Sequence, residues 1–487
     1  MSKFNSAAAS YDAATTTNKC GWAAYAMDDK SKLVSQVLTS FFNESKFYGD
    51  NSEELEETLK KVVKVNPDFV SKLAIFARRE FNMRSVSHVL AGYLAHEVEG
   101  KPFVKETVKN IVLRGDDATE ILAFYLSKFG KPIPNSLRKA LRDVFTGFDS
   151  YTLAKYKGES KSVKMRDILC LCRPAPKSEE QSATWKALLE GTLAPAYTWE
   201  TELSARGNTK EVWQELIASG KVGYMALLRN LRNILNANPE NARDVLEKIA
   251  NPDEVRKSRQ LPFRFMSAYR NVPDDSWLAS RAKEALDDAA DVAVANLPKI
   301  PGRTVIAIDV SGSMQGPVSA KSDVMCSDIA MLLGVIANRI CESARVFTFD
   351  TDIRELNVPR RNGIISTAES LPVHGGGTNM YLPFQKMLNE HIYCDRVIIL
   401  SDNMCNDDGG WGWYASKPVQ TLADEYRRQT GNDIWVHAVD LEGYGTQQFK
   451  GPKTNVIAGW SEKLFEFIGL AEEGEEALIS RIESYKV

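Results

Sequence analysis

The periodicity of the apolar residues changes once along this chain, at the run PKIPGR (298–303), and that change constrains the fold more than any other feature. From residue 30 to about 296, segments such as KLVSQVLTSFF, SEELEETLKKVVKV, PDFVSKLAIFARREF and VSHVLAGYLAHEV place apolar residues at i, i+3, i+4 and i+7, the spacing of one face of a helix. Helices of about 10–15 residues are punctuated by NP and GKP linkers, as expected when proline opens a helix and glycine closes one. Almost none of these segments is apolar all round, so a globule with a buried central helix is disfavoured. Helix pairs recurring every 30–45 residues, without a strict sequence repeat, predict an all-α, HEAT-like solenoid.

After residue 303 the pattern becomes RTVIAIDV, ARVFTFD, DRVIILSD and NDIWVHAVD, short runs that are almost continuously apolar. Strands buried on both faces of a parallel sheet read this way. Helical stretches lie between them, so the expectation is an α/β doubly wound sheet. IRELNV (353–358) is expected as an antiparallel edge strand, and WLASRAKEALDDAADVAVAN (277–296) as a bridging helix. The predicted division is an N-terminal arm (1–29), a helical-repeat domain (30–300) and an α/β domain (301–487).

At 487 residues the chain is too long for one core. No apolar run is long enough to span a bilayer, and MSKFNSAAASYDAATTTNKC lacks the apolar centre of an export signal. Seven cysteines without paired CxxC spacing predict reduced thiols and a cytoplasmic location. Charge is unevenly divided. Residues from 301 hold 17 Lys and Arg against 25 Asp and Glu, a net of −8, and residues 1–300 hold 44 against 39, a net of +5. The basic half is the candidate for a polyanionic partner.

Five residues with metal-binding chemistry fall at predicted strand ends and in a glycine-rich loop. Asp309, Ser311 and Ser313 follow the strand in TVIAIDVSGSM, Thr378 lies in HGGGTNM, and Asp402 ends RVIILSD. Open α/β sheets place ligands at the carboxyl ends of their strands. Hydroxyls with only two carboxylates suit Mg²⁺, which retains waters and accepts an outside oxygen ligand. This DxSxS…T…D series resembles the von Willebrand factor A-type domain, and residues 303–487 have the right length for one. The resemblance implies a divalent metal, most simply Mg²⁺, and a protein partner at the metal. No general base or nucleophile–histidine pair accompanies the five, so an enzyme is not expected.

In the basic half, VGYMALLRNLRNILN (222–236) carries an apolar stripe of Tyr224, Leu227, Leu228, Leu231, Ile234 and Leu235. Arg229, Arg232, Asn233 and Asn236 lie opposite it, where two arginines are spaced to grip phosphates. With RQLPFRFMSAYR (259–270), KYKGESKSVKMRDILCLCRP (155–174) and the metal motif, the whole chain resembles the Ro autoantigen family, a TROVE module joined to a von Willebrand A-like domain. The resemblance implies a helical ring and a monomeric protein within a ribonucleoprotein. Y-like noncoding RNA would bind an outer basic surface, and single-stranded 3′ ends of misfolded RNA would enter the ring opening. It assigns the outer surface to Lys155, Lys157, Lys161, Lys164, Arg166 and Arg173; if the solenoid closes into a ring, the helix face bearing Arg229, Arg232 and Asn233 is expected to line the opening. The chain departs from the family pattern between Asp167 and Pro174, where it is shorter and lacks a histidine found in relatives.

Further bases near helix ends (Arg78, Arg79, Arg84, Arg256, Lys257, Arg259 and Arg264) are candidates for the opening, and Trp22, Tyr25 and Tyr269 for base stacking. NMCNDDGGWGWYAS (403–416) has the composition of a recognition loop at the rim of the metal motif. The leading expectation is therefore a non-enzymatic RNA-binding scaffold. The alternative is a metal-dependent protein–protein adaptor with no RNA role, and a hydrolase ranks below both.

Overall fold

A computed structural model describes residues 15–17, 23–39, 52–98, 103–295, 297–317, 324–404, 419–442, 446–458, 464–472 and 477–486. The chain forms two compact units. One holds the residues up to Thr39 together with Val294–Ala477, and the other holds Ser40–Ala293 together with the residues from Leu478.

The second unit is helical throughout its described part. The helices Pro67–Arg79, Phe103–Ile111, Asn135–Phe145 and Met165–Cys172 follow one another in space, each packed on the next but one in sequence. Ser85–Glu97 and Gly115–Phe129 form a second row in the same manner. Two rows of alternating helices are the arrangement the solenoid pattern predicts. The punctuation works as expected at Pro67–Arg79, where Pro67 opens the helix and the Asn66 side chain accepts a hydrogen bond from the Phe69 N–H at 3.1 Å.

The helix expected over 222–236 is two helices, Tyr224–Arg229 and Leu231–Ala237. The break is at Asn230, which sits at φ −99°, ψ 9°. Its side-chain amide donates to the Ala226 carbonyl at 2.9 Å, alongside its own backbone N–H at 3.0 Å. An asparagine that competes locally for backbone groups interrupts a helix in this way. The apolar stripe nevertheless stays buried across the break.

Nine strands are described: β1 (Thr16–Thr17), β2 (Ala23–Ala26), β3 (Ile300–Asp309), β4 (Cys341–Phe349), β5 (Ile353–Leu356), β6 (Arg396–Ser401), β7 (Trp435–Asp440), β8 (Thr446–Gln447) and β9 (Thr454–Ala458). Six of them form one sheet in the order β5-β4-β3-β6-β7-β9, parallel except for β5, which runs antiparallel to β4 as its position after ARVFTFD predicts. Phe347, Phe349, Met380, Phe384, Val397, Ile399, Tyr426 and Phe449 pack together in the apolar core of this unit. The helix Cys326–Ile340 packs on β3 and β4, and Gly334 makes its approach possible, since a β-carbon there would overlap the Ile308 side chain.

Two segments leave the units that sequence order assigned them. The predicted arm is structured where it is described: β2 pairs with both β1 and β8, and Tyr25 is buried. The following helix, Asp29–Thr39, packs on β9, with Ser35 donating to Asp440 at 2.9 Å. At the other end, Tyr485 meets Phe76 edge to face and donates to Glu80 at 2.7 Å, while Lys72 donates to the Glu483 carbonyl at 2.8 Å. Partners over 400 positions away leave no signal in local periodicity, so the predicted boundaries at 29/30 and 300/301 divide the chain differently from the packing. The expected bridging helix is Ala279–Val294, and the unit boundary falls at its end.

Candidate metal centre and nucleic-acid interface

Asp309 is the last residue of β3, Ser401 the last of β6, and Asp402 the residue after it. Because β3 and β6 are adjacent and parallel, both carboxylates arrive at the same sheet edge. Asp309 accepts from the Ser311 N–H at 2.9 Å and from the Ser401 hydroxyl at 2.6 Å. The Ser311 and Ser313 hydroxyls lie 3.2 Å apart. Asp402 accepts from the Met404 N–H at 3.0 Å. The glycine loop is tied to this edge by the Gly312 N–H, which donates to the Gly376 carbonyl at 2.8 Å. Buried Thr378 follows two residues later. Gly375 has φ +80°, a backbone conformation that favours glycine. Ser401 was missed in the sequence; its only signal was its place directly before a strand-end aspartate.

Both carboxyls are pushed above the usual range. Burial is the larger cause for each, followed by the charge of Asp402 at Asp309 and of Glu442 at Asp402. One atom decides what the pocket can hold. Asp402 Oδ2 is buried and has no hydrogen-bond partner among the described residues. An orphaned carboxylate oxygen beside a second buried carboxylate and a pair of hydroxyls fits a hard divalent cation. Among the described residues no group of three or more His, Cys, Asp or Glu side chains could hold a metal, so a softer, zinc-type centre has no ligand set there. Trp411, Trp413 and Tyr414 of the expected recognition loop lie outside the described residues.

In the helical unit, Lys155 ends the helix Ser150–Lys155, Lys157 and Lys161 lie in the following loop, Lys164 precedes the helix Met165–Cys172, Arg166 lies within it, and Arg173 closes it with φ +50°. Lys161 and Lys164 are 3.9 Å and 3.5 Å from Glu120 and Glu159. Among the described residues Lys155, Lys157, Arg166 and Arg173 have no carboxylate at ion-pair distance. The Lys155 ammonium lies 5.9 Å from the Tyr151 ring centre and 5.4 Å from that of Tyr156, and Arg114 lies 5.5 Å from Tyr156. Arg229 and Arg232 are exposed, one on each side of the Asn230 break, again without an ion-pair partner among the described residues. Asn233 is exposed and donates to the Asn230 side chain at 3.3 Å.

Several other candidates have structural roles instead. Arg78 is buried, and both Arg78 and Arg84 bond to Asp117. Arg79 bonds to Asn110, and Arg256 and Lys257 pair with Asp253 and Glu254. Tyr25 is buried and Tyr269 half-buried, each with a lysine over its ring. Trp22 lies outside the described residues.

The combination of a two-row helical unit and a largely parallel α/β unit has a counterpart among known families. The TROVE domain model matches residues 25–195 and 182–284, and the Ro60 vWA domain model matches residues 303–449. The chain belongs to the Ro family. Among relatives of this Ro-family chain, telomerase protein component 1 of Rattus norvegicus is 25% identical over 325 residues, 49% of this chain and 12% of that protein. RNA-binding protein RO60 of Deinococcus radiodurans is 26% identical over 225 residues, 43% of this chain and 41% of that protein. The chain thus spans well under half the length of the curated relatives it matches. The crystal structure of the Deinococcus radiodurans RO (RSR) protein superposes with a TM-score of 0.62 at 16% identity, covering 94% of this chain and 99% of that one. This likeness extends the Ro fold to nearly the whole chain.

Proposed function

We propose that this Ro-family chain is a non-enzymatic RNA-binding scaffold. The carrying observation is the segment 155–173, where four of six cations have no carboxylate partner among the described residues. Such charges neutralise phosphates at no cost of broken ion pairs. Kinship with RNA-binding protein RO60 supports the same reading. In its finer form, a structured, Y-like noncoding RNA binds Lys155, Lys157, Lys161, Lys164, Arg166 and Arg173. Single-stranded 3′ ends of misfolded RNA lie along Arg229, Arg232 and Asn233. The chain acts in the cytoplasm.

Within the α/β unit, Asp309, Ser311, Ser313, Thr378 and Asp402 would hold Mg²⁺. When bound, the ion supplies a Lewis-acidic position for an oxygen ligand of a protein partner. Ser401 and the Ser311 N–H orient Asp309, and the Met404 N–H orients Asp402, so the donor set is arranged before binding. The orphaned Asp402 oxygen favours a second reading, a metal-dependent protein–protein adaptor with no RNA role.

Changing Lys155, Lys157, Lys161 and Lys164 together to alanine should weaken a structured hairpin RNA about tenfold or more near physiological salt. The salt slope should fall by about 0.7–0.9 for each phosphate that is no longer neutralised. Equal affinity and slope in filter binding across a salt series would return the segment to an ordinary solvated face.

A further inference from the structure

The helical unit leaves a tryptophan outside its own core. Trp277 is 62% exposed and is the only exposed tryptophan among the described residues. It is nonetheless fixed in place. Its indole N–H donates to the Asn238 side chain at 2.9 Å, and Asn238 is the left-handed residue, at φ +50°, that closes the helix Leu231–Ala237. The Arg243 guanidinium lies 4.9 Å from the ring centre.

Several other cations of the helical unit are held in ion pairs. Lys210 pairs with Glu240 at 3.3 Å, Arg281 with Glu284 at 3.3 Å, and Lys283 with Asp274 at 3.0 Å. Arg243 is exposed, and among the described residues it has no carboxylate at ion-pair distance. Its charge is committed to the π face of the indole and is available to a phosphate. The indole is the reverse case. Its one polar atom is already satisfied within the chain, so it offers an outside ligand only π surface. A protein partner at a tryptophan commonly uses the N–H as well as the ring. A nucleobase needs only the face, and every base has one.

The location matches. Asn238 lies six residues beyond Arg232, about 9 Å along a helix axis, within one or two nucleotides of an extended strand. A duplex keeps its base faces stacked on one another, so only unpaired bases can use the ring.

We propose that Trp277, oriented by Asn238 and backed by Arg243, is a stacking platform for an unpaired base of single-stranded RNA. This rests on the RNA-binding reading above and adds a base contact to one built on phosphates. The platform is tolerant of sequence, because stacking does not read base edges.

The test compares a hairpin bearing a 3′ oligouridine tail with the same hairpin made blunt, each binding to the full chain. Trp277→Ala should weaken the tailed RNA on the order of tenfold, the loss expected for one base–aromatic stack. Trp277→Phe should recover most of that loss, and the blunt hairpin should bind all three proteins equally. Arg243→Gln should lower the salt slope for the tailed RNA by about 0.7 and leave the blunt hairpin unchanged. Tailed-RNA affinity that is unchanged in Trp277→Ala, with hairpin binding intact, sinks the platform alone and leaves the indole as a protein contact. Equal loss of both RNAs, with a lowered melting temperature, sinks it in favour of a packing role. A wild-type chain that binds neither RNA overturns the underlying reading as well.

Discussion

Each unit buries aspartate, and Asp117 of the helical unit and the Asp309–Asp402 pair of the α/β unit are treated in opposite ways. In the helical unit, Asp117 accepts from the backbone N–H groups of Leu113 and Arg114 at 3.0 Å and 2.9 Å and from Arg78 at 3.1 Å. It also bonds Arg84, and His88 lies 3.2 Å away. Burial alone would raise its pKa, but the adjoining His88 and the Arg84 charge outweigh that and hold the carboxyl well below the usual range. At the strand ends of the α/β unit, burial raises both Asp309 and Asp402, the neighbouring charges of Asp402 and Glu442 are acidic, and one oxygen has no partner among the described residues. A buried acid surrounded by the chain's own cations is part of the architecture. A buried acid whose nearest charges repel it is prepared for a cation from outside.

If that contrast is right, removing the two kinds of acid has effects of opposite character. The largest should come from Asp117→Ala, which leaves Arg78 buried and uncompensated, and should destabilise the helical unit by about 3–5 kcal/mol in urea or thermal unfolding. A loss below about 1 kcal/mol, the size of an exposed pair, would break the comparison on its helical side.

The next effect depends on pH. Because the Asp117 pKa is lowered in the folded state, its contribution is fully present above the unfolded carboxylate value, about 3.9, and is lost as pH falls through the folded value. Helical-unit stability should therefore decline from about pH 5 downward in the wild type. The decline should be shallower in Asp117→Asn, as read by helical circular dichroism in an acid titration. Identical acid profiles would show that other carboxylates control the transition.

The smallest effect on the unliganded protein should come from Asp309→Asn with Asp402→Asn. Removing two carboxylates that repel each other should cost little stability or add some. The same change should abolish Mg²⁺ binding in calorimetry. Mg²⁺ at about 100 times its Kd should stabilise the wild type by about 2.7 kcal/mol and leave the double variant where it was. Unchanged Mg²⁺ affinity would remove the metal assignment. A strongly destabilised apo double variant would make these aspartates structural, like Asp117.

The same contrast accounts for what was legible beforehand. Asp309, Ser311, Ser313 and Asp402 were readable because their elements are local: each strand is a run of apolar residues, and the functional group follows its end. The sheet order that brings β3 beside β6 is not local, but a doubly wound topology makes it the expected one. Arg78 and Arg84 misled because a basic residue at a helix end looks the same whether it faces solvent or an acid on another helix. Asp117 lies 39 and 33 positions away from them. The break at Asn230 was hidden because the apolar spacing across 222–236 continues unbroken.

The sequence by itself determined where helix gives way to sheet, the order of the strand ends and the hydroxyl-rich chemistry found there, because these depend on groups within a few residues of one another. Only the tertiary structure decided which cations are spent on internal acids and which stay open at the surface. It also decided that residues 29–39 complete the α/β unit and that Tyr485 completes the helical one. It brought Asn238 and Arg243 to Trp277. Those outcomes depend on groups tens to hundreds of positions apart, and burial assigns their partners only once the helices and the sheet have packed.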